Sequence, residues 1–161
     1  MLILDENLIE ISKMVLEGIK LAKVISLSSS PERGTPKYPV KFGSFIKNFG
    51  MEGDGHAGNW HRQVCIFDVS SMDYLSTEER AACEKTYSEN ITTEGIQLHT
   101  LPIGTRLQIG WTVLEITQIG KEFVKDPSLH TAREVIMHKK GVFCIVLKSG
   151  RVDIGDEVII L

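Results

Sequence analysis

The chain has 161 residues, 42% of them hydrophobic and 24% charged, which is the composition of one ordinary globular domain and excludes a multidomain, fibrous or disordered protein. Eighteen Lys plus Arg stand against twenty-one Asp plus Glu, a formal net charge of −3, so no global positive field exists to hold nucleic acid. The three cysteines, Cys65, Cys83 and Cys144, are too widely spaced for a Cys-x-x-Cys pair and odd in number, which argues against a disulfide framework and for a reducing, cytoplasmic setting.

The first segment, Met1-Leu2-Ile3-Leu4, is apolar, but Asp5, Glu6, Glu10, Lys13, Glu17 and Lys20 interrupt the next sixteen positions with charge. Neither a signal-peptide core nor a membrane span is expected. Leu8, Ile11, Val15, Ile19 and Ala22 recur at three- and four-residue steps and predict a helix capped by Asp5 or Asn7 and ending near Lys23. The expected organisation is therefore a helical appendage over residues 1–21 and one domain over 22–161. Val24–Ser28 alternates like a strand, and Ser28–Gly58, rich in Pro and Gly, reads as loop with a short turn of helix or strand around Phe45-Ile46.

Val64–Val69 is a nearly continuous apolar run, the pattern of a central strand buried on both faces. A second helix is expected from Ser70 or Ser71 to about Lys85. The second half consists of short aliphatic strands set off by glycines, at Arg106–Ile109, Val113–Ile119, Val142–Leu147 and Glu157–Leu161. A third helix, Leu129–His138, interrupts them, with Ala132, Val135 and Ile136 as its expected inner face. The expected fold is mainly β, with three helices around a closed or nearly closed sheet.

The densest polar cluster is Gly53-Asp54-Gly55-His56-Ala57-Gly58-Asn59-Trp60-His61-Arg62-Gln63, which leads directly into the strand at Val64. Small residues admit close backbone approach to a ligand, and two imidazoles, an amide and a guanidinium can converge on one anion. The same residues also suit a glycine-rich turn in which Asp54 and Asn59 satisfy backbone amides. A zinc site is disfavoured: His56 and His61 are five residues apart, on one face of neither a helix nor a strand, with no cysteine or second carboxylate beside them. No metal-ligating residue is assigned.

A second cluster, Ser88-Glu89-Asn90-Ile91-Thr92-Thr93-Glu94-Gly95, offers hydroxyls and backbone amides to an oxyanion, and equally suits an Asx-type turn. Beyond it, Lys121 or Arg133 could complete a cationic rim or simply face solvent. Cys65 and Cys144 lie in apolar strand runs and Cys83 lies late in a helix, so none reads as a nucleophile. No serine elbow, P-loop or dinucleotide-binding glycine pattern is evident.

Taken in order, Gly53 to Gln63, Glu89-Asn-Ile-Thr-Thr-Glu-Gly95, Leu101-Pro-Ile-Gly-Thr-Arg-Leu-Gln-Ile-Gly110, Thr117-Gln-Ile-Gly-Lys121, Gly141-Val-Phe143 and Gly155-Asp156 closely resemble the MOSC domain, named for the C-terminal domain of molybdenum cofactor sulfurases. The likeness runs from about Ala22 to the C-terminus and is greatest to the small stand-alone bacterial forms. It implies a β-barrel like the barrel domain of pyruvate kinase. It also implies binding of molybdenum cofactor, or a related pterin or oxyanion, for cofactor sulfuration or transfer or for reduction of N-hydroxylated compounds. An enzyme of this kind would be a molybdenum-cofactor-dependent oxidoreductase or a sulfur transferase, with a redox or sulfur-donor protein as partner. Pyridoxal phosphate is associated with the family through its sulfurase partner, although no lysine is marked out for it.

By the same resemblance, His56, His61, Arg62 and Gln63 correspond to the family's His-Arg-Gln loop, and Asn90, Thr92 and Thr93 to its Glu-Asn-Ile/Leu-Thr loop; Lys121 belongs at the rim. One departure stands out. Many members carry a cysteine after the Gly-Lys segment, thought to bear sulfur or ligate molybdenum, whereas here Gly120-Lys121-Glu122 is followed by Phe123. A phenyl ring cannot replace a soft thiolate ligand. The alternative reading is therefore a non-catalytic anion- or cofactor-binding carrier module. Substrate, redox partner and oligomeric state are left open by the sequence.

Overall fold

A computed structural model describes residues 21–122, 126, 128 and 130–161, together with isolated positions 6, 8, 9, 12 and 16. The expected N-terminal helix and the domain division it implies lie outside the described residues, as does Phe123. Eleven strands and two α-helices make up the described chain: β1 (Lys23–Ser29), β2 (Tyr38–Val40), β3 (Phe42–Ile46), β4 (Gly50–Met51), β5 (Val64–Asp68), α1 (Thr77–Cys83), β6 (Ile91–Glu94), β7 (Arg106–Ile109), β8 (Thr112–Ile119), α2 (Ala132–Lys140), β9 (Val142–Lys148), β10 (Gly150–Asp153) and β11 (Val158–Ile160). The two helices therefore lie mid-chain and towards the C-terminus. No helix among the described residues is long and apolar enough to cross a membrane.

Eight strands form one mixed sheet in the order β11-β7-β8-β9-β5-β6-β1-β2, and β10-β3-β4 form a second. The expected closed barrel is not present: both sheets are open. The ends of the large sheet do approach, through one isolated bridge between Lys23 and Glu157 and bonds such as Val158 N–H to Ala22 O at 2.9 Å. A ladder cannot grow from there because a strand has only two edges. One edge of β1 is taken by β6 and the other, from Leu27 to Ser29, by β2, which leaves a few residues at its start for the β11 end.

The expected central strand is where its apolar run places it. β5 pairs antiparallel with β9 and parallel with β6. Val64 and Ile66 join the main core with residues such as Leu114, Ile116 and Val146, whereas Phe67 packs into a second core with Met72, Cys83, Ile136 and Met137. β8 buries Thr112, Leu114 and Ile116 on alternate positions, as period-two patterning demands.

Three further expectations need correction. The segment read as loop, Ser28–Gly58, contains β2, β3 and β4, because pairing with β10 supplies the long-range partner that local composition does not reveal. The second helix is shorter than expected: a 3-10 turn at Val69–Met72 comes first, and a capping box between Ser76 and Glu79 starts α1 only at Thr77. In α2, started by the same device between Thr131 and Glu134, the buried face is Arg133, Ile136 and Met137 rather than Ala132, Val135 and Ile136.

Arg133 is inside because Glu89 is. The guanidinium binds both carboxylate oxygens of Glu89, with Nε to Oε2 at 3.1 Å and Nη2 to Oε1, and Nη1 donates to Cys83 O at 3.1 Å. Thr92 donates its hydroxyl to Glu89 Oε1 at 2.6 Å, and Arg133 lies over the Phe67 ring at 4.6 Å. This cluster ties α1, α2 and the lead into β6 together. Truncating one partner strands the other charge in the interior, so Arg133→Ala is expected to cost about 3–5 kcal/mol, and pairing Arg133→Met with Glu89→Gln to recover much of it. Urea denaturation of the three proteins reads the difference.

Candidate functional site

The glycine-rich loop before β5 is organised by one buried carboxylate. Asp54 accepts hydrogen bonds from Lys37 Nζ at 2.6 Å, Ser30 N–H at 3.1 Å and His56 N–H at 3.0 Å. Burial acts to raise the Asp54 carboxyl, yet the bond to Lys37, its charge and the two backbone amides together hold it below the ordinary value. The segment carrying Arg33 packs directly on this loop at Gly55, where an added Cβ would lie 2.7 Å from the backbone of Glu32. Arg33 Nε then reaches Gly55 O at 3.2 Å.

Around this loop lies a cavity of about 250 Å³ with four cationic side chains on its walls, Arg33, Lys37, Arg62 and Lys121. Trp60 donates its indole N–H to His56 O at 2.7 Å and has two guanidiniums over its ring, Arg33 at 4.4 Å and Arg62 at 4.8 Å from the centroid. Phe143 supplies a second aromatic wall, with Lys121 Nζ at 5.3 Å. Lys121 is delivered by a tight turn after β8, where Gly120 at φ 72° approaches the last turn of α2 so closely that a Cβ would meet His138 O at 2.8 Å. Lys37, His56 and Lys121 also border a smaller adjoining cavity, of about 180 Å³, that runs toward α2.

The expected site residues divide into two groups. His56, Arg62 and Lys121 line the main cavity, and buried Asn90 contributes to its wall while accepting from Cys65 N–H at 3.0 Å. His61 is exposed, within 2.8 Å of Gln118 through Nε2, on a shallower depression shared with Arg62 and Lys121. Gln63 is buried and accepts from Val146 N–H at 3.0 Å, which clamps the loop to β9. Thr92 belongs to the Glu89–Arg133 cluster, and Thr93 is buried where β6 pairs with β1 and β5. Neither threonine lines the main cavity.

Sequence reasoning missed Arg33, Lys37, Trp60, Phe143 and Cys65 as wall residues. For Cys65 the signal was strand alternation: with Val64 and Ile66 in the main core, Cys65 must point the other way, beside its cross-strand partner Phe143. It is half-buried at the cavity rather than sealed in the core. Burial pushes its thiol up to about 12, against the pull of Lys121 and Lys37. Among the described residues no group of three or more His, Cys, Asp or Glu side chains could hold a metal ion.

His56 is affected in the opposite sense: burial, then the charges of Lys37, Lys121 and Arg33, push it down to about 4 against the opposing charge of Asp54. It is neutral near pH 7.

The MOSC domain family model matches residues 52–159, two thirds of the chain and the whole stretch from this loop to β11. The chain belongs to the MOSC domain family. Solved structures agree on the fold of this MOSC chain. The YuaD protein of Bacillus subtilis is 19% identical with a TM-score of 0.66, covering 85% of this chain and 93% of that one. YiiM from Escherichia coli is 17% identical with a TM-score of 0.59 over 86% of this chain and 69% of its own. YiiM from Geobacillus stearothermophilus is 16% identical with a TM-score of 0.60 over 87% and 75%. No curated protein matches the chain. Arg33 and Lys37 precede the span matched by the MOSC model, so half of the cavity's cations come from outside it.

Two outcomes are expected. Between about pH 6.5 and pH 4 the unfolded imidazole takes up a proton that folded His56 refuses, so stability falls as pH falls through this window; below it, protonation of Asp54 adds to the loss. Urea midpoints should therefore drop on acidification in the native protein and drop less in His56→Gln. A small thiol reagent should modify Cys65 before Cys83 and Cys144, both of which are sealed from solvent, as peptide mapping after partial labelling would show.

Proposed function

We propose that this MOSC domain binds molybdenum cofactor, or a closely related anionic pterin, in the cavity between the Asp54–Gln63 loop, β5 and the Lys121 turn. The carrying observation is the convergence of Arg33, Lys37, Arg62 and Lys121 on one cavity with two aromatic faces. Among the described residues one carboxylate, Asp54, is engaged by these cations, through Lys37. Like charges gathered in a half-buried space repel one another, and an anionic ligand relieves that cost. Arg62 adds a specific sign of a missing partner: its Nε is buried and has no hydrogen-bond acceptor among the described residues. The donor set thus fits the group, with cations and N–H donors for phosphate or oxo oxygens and the Trp60 and Phe143 rings for a flat heterocycle.

In this reading Arg62 and Lys121 neutralise the anion, Trp60 and Phe143 exclude water from the ring, and Asn90 holds β5 in place. Bound, the cofactor supplies either a redox-active metal for reduction of N-hydroxylated compounds or a transferable sulfur, and the counterpart protein is a reductant or a sulfur donor in the cytoplasm. No lysine among the described residues is singled out for pyridoxal phosphate, since Lys37, the one buried at the cavity, is engaged by Asp54.

The second reading, a carrier module without sulfur chemistry of its own, is favoured by the thiol inventory. Phe123 stands where many members have cysteine, and the thiol that does line the cavity, Cys65, is protonated near pH 7, a poor acceptor of sulfur. Protein isolated from a host that makes molybdenum cofactor tests the cofactor binding that both readings share. Molybdenum and oxidised-pterin fluorescence in equal amounts with the chain are expected, and neither signal in folded protein reloaded with cofactor would refute the proposal. Arg62→Ala is expected to weaken retention at least about tenfold, ~1.4 kcal/mol, as measured by equilibrium binding; unchanged affinity would remove Arg62 from the site.

A further inference from the structure

The pocket holds five nitrogen-bearing side chains that can carry positive charge, and one of them is built so that it does not. His56 borders both cavities and keeps about a third of its side chain accessible. Its Nδ1 lies 3.4 Å from Lys37 Nζ. An ammonium has hydrogens to give and no lone pair, so Nδ1 must be the acceptor and the ring proton must sit on Nε2. Asp54 cannot reverse this arrangement. Its Oδ1 is taken by Lys37, its Oδ2 receives the His56 backbone N–H at 3.0 Å, and Oδ2 stands 3.7 Å from Nδ1, beyond hydrogen-bond reach.

We infer that the buried Lys37–Asp54 pair is a tautomer lock that makes His56 a neutral Nε2–H donor to the pocket, selecting an oxyanion in its fully ionised form. A donor-only ring rewards a bare oxygen and offers nothing to a hydroxyl that needs an acceptor, so a protonated ligand group is disfavoured there. Lys37 is thus a positioning residue that acts through His56, and His56 is the group that meets the ligand. The ligand half of this inference rests on the anion-pocket reading above; the lock itself does not.

The surroundings point the same way. Arg33 comes from the preceding segment and Lys121 from the turn after β8, both with charges that oppose protonation of the ring, while Asp54 favours it. From α2 and its approach, His130, Glu134 and His138 border the smaller cavity, where Glu134 is paired with His130 at 3.4 Å. Burial is the largest cause of the depressed basicity, and Lys37 is the largest of the charges.

Long-range ¹⁵N–¹H NMR of the imidazoles in the full chain, with the His56 signals assigned through His56→Gln, tests the lock without any ligand. A neutral Nε2–H pattern that does not titrate between about pH 5.5 and 8 is expected, and an Nδ1–H pattern or a midpoint near 6.5 overturns it. Lys37→Gln should release the ring, moving the proton to Nδ1 beside Asp54 and raising the midpoint of its titration above that of the native protein. Should that variant fail to fold, Lys37→Arg, which retains a donor toward Nδ1, is expected to preserve the native pattern, and an altered pattern there counts against the lock.

Sulfate, which stays ionised throughout, then probes the ligand role. Its affinity in the native protein should change by less than about twofold from pH 5.5 to 7.5, whereas an imidazolium donor would lose up to about tenfold as it deprotonates. A tenfold loss overturns the inference. Sulfate that leaves the His56 signals unmoved overturns the ligand role together with the anion-pocket reading, while an Nδ1–H ring with sulfate bound overturns the lock alone.

Discussion

The Asp54 carboxylate is the point on which the site depends. It is buried, and a buried carboxylate must find hydrogen bonds or lose its charge. Here it finds donors from three stretches of chain: the end of β1 with the backbone just after it, the ammonium of Lys37 and the backbone of its own loop. Those bonds fold the Arg33–Lys37 segment onto the glycine-rich loop. They set the entry of the chain into β5, and they bring a lysine beside His56. Without the carboxylate, neither the position of Lys37 nor the ring tautomer that Lys37 imposes on His56 would be fixed.

A second buried ion pair, Glu89 with Arg133, has a different task. It lies between the two helices, and every strong donor of the guanidinium is directed at a protein acceptor. The contrast with Arg62 explains why one arginine is structural and the other is a site residue. Arg133 is satisfied by the fold, whereas Arg62 stacks on Trp60 and Phe143 and leaves Nε without a partner among the described residues. Residue type does not distinguish the two; the inventory of acceptors around each one does.

The site was partly legible in the sequence. The Gly53–Gln63 run announced itself by composition, and His56, Arg62 and Lys121 do meet at one cavity. Asn90 was legible as a loop residue, but its amide serves the β5 backbone at Cys65 as well as the wall. Gln63 and His61 illustrate what adjacency cannot tell. They flank Arg62 in sequence, yet one is buried against β9 and the other is exposed: both precede β5 in irregular chain, where the strand alternation that would put residues two apart on one face does not apply. The threonine pair at 92–93 also divides, one toward the Glu89 cluster and one away from it.

Local pattern alone determined the family, the mainly β character, the central place of β5 and the strands of the second half, because these depend on short-range periodicity and on motifs of contiguous residues. The tertiary structure alone decided what depends on pairing between distant segments. Whether the sheet closes is settled by β2 occupying the free edge of β1, and whether residues 38–51 are strand or loop is settled by β10. The cationic character of the cavity belongs to the same class. Arg33 and Lys37 are ordinary charges in sequence, some thirty residues from Arg62 and far from Lys121. They become site residues only because a buried carboxylate needs its hydrogen bonds and draws their segment in.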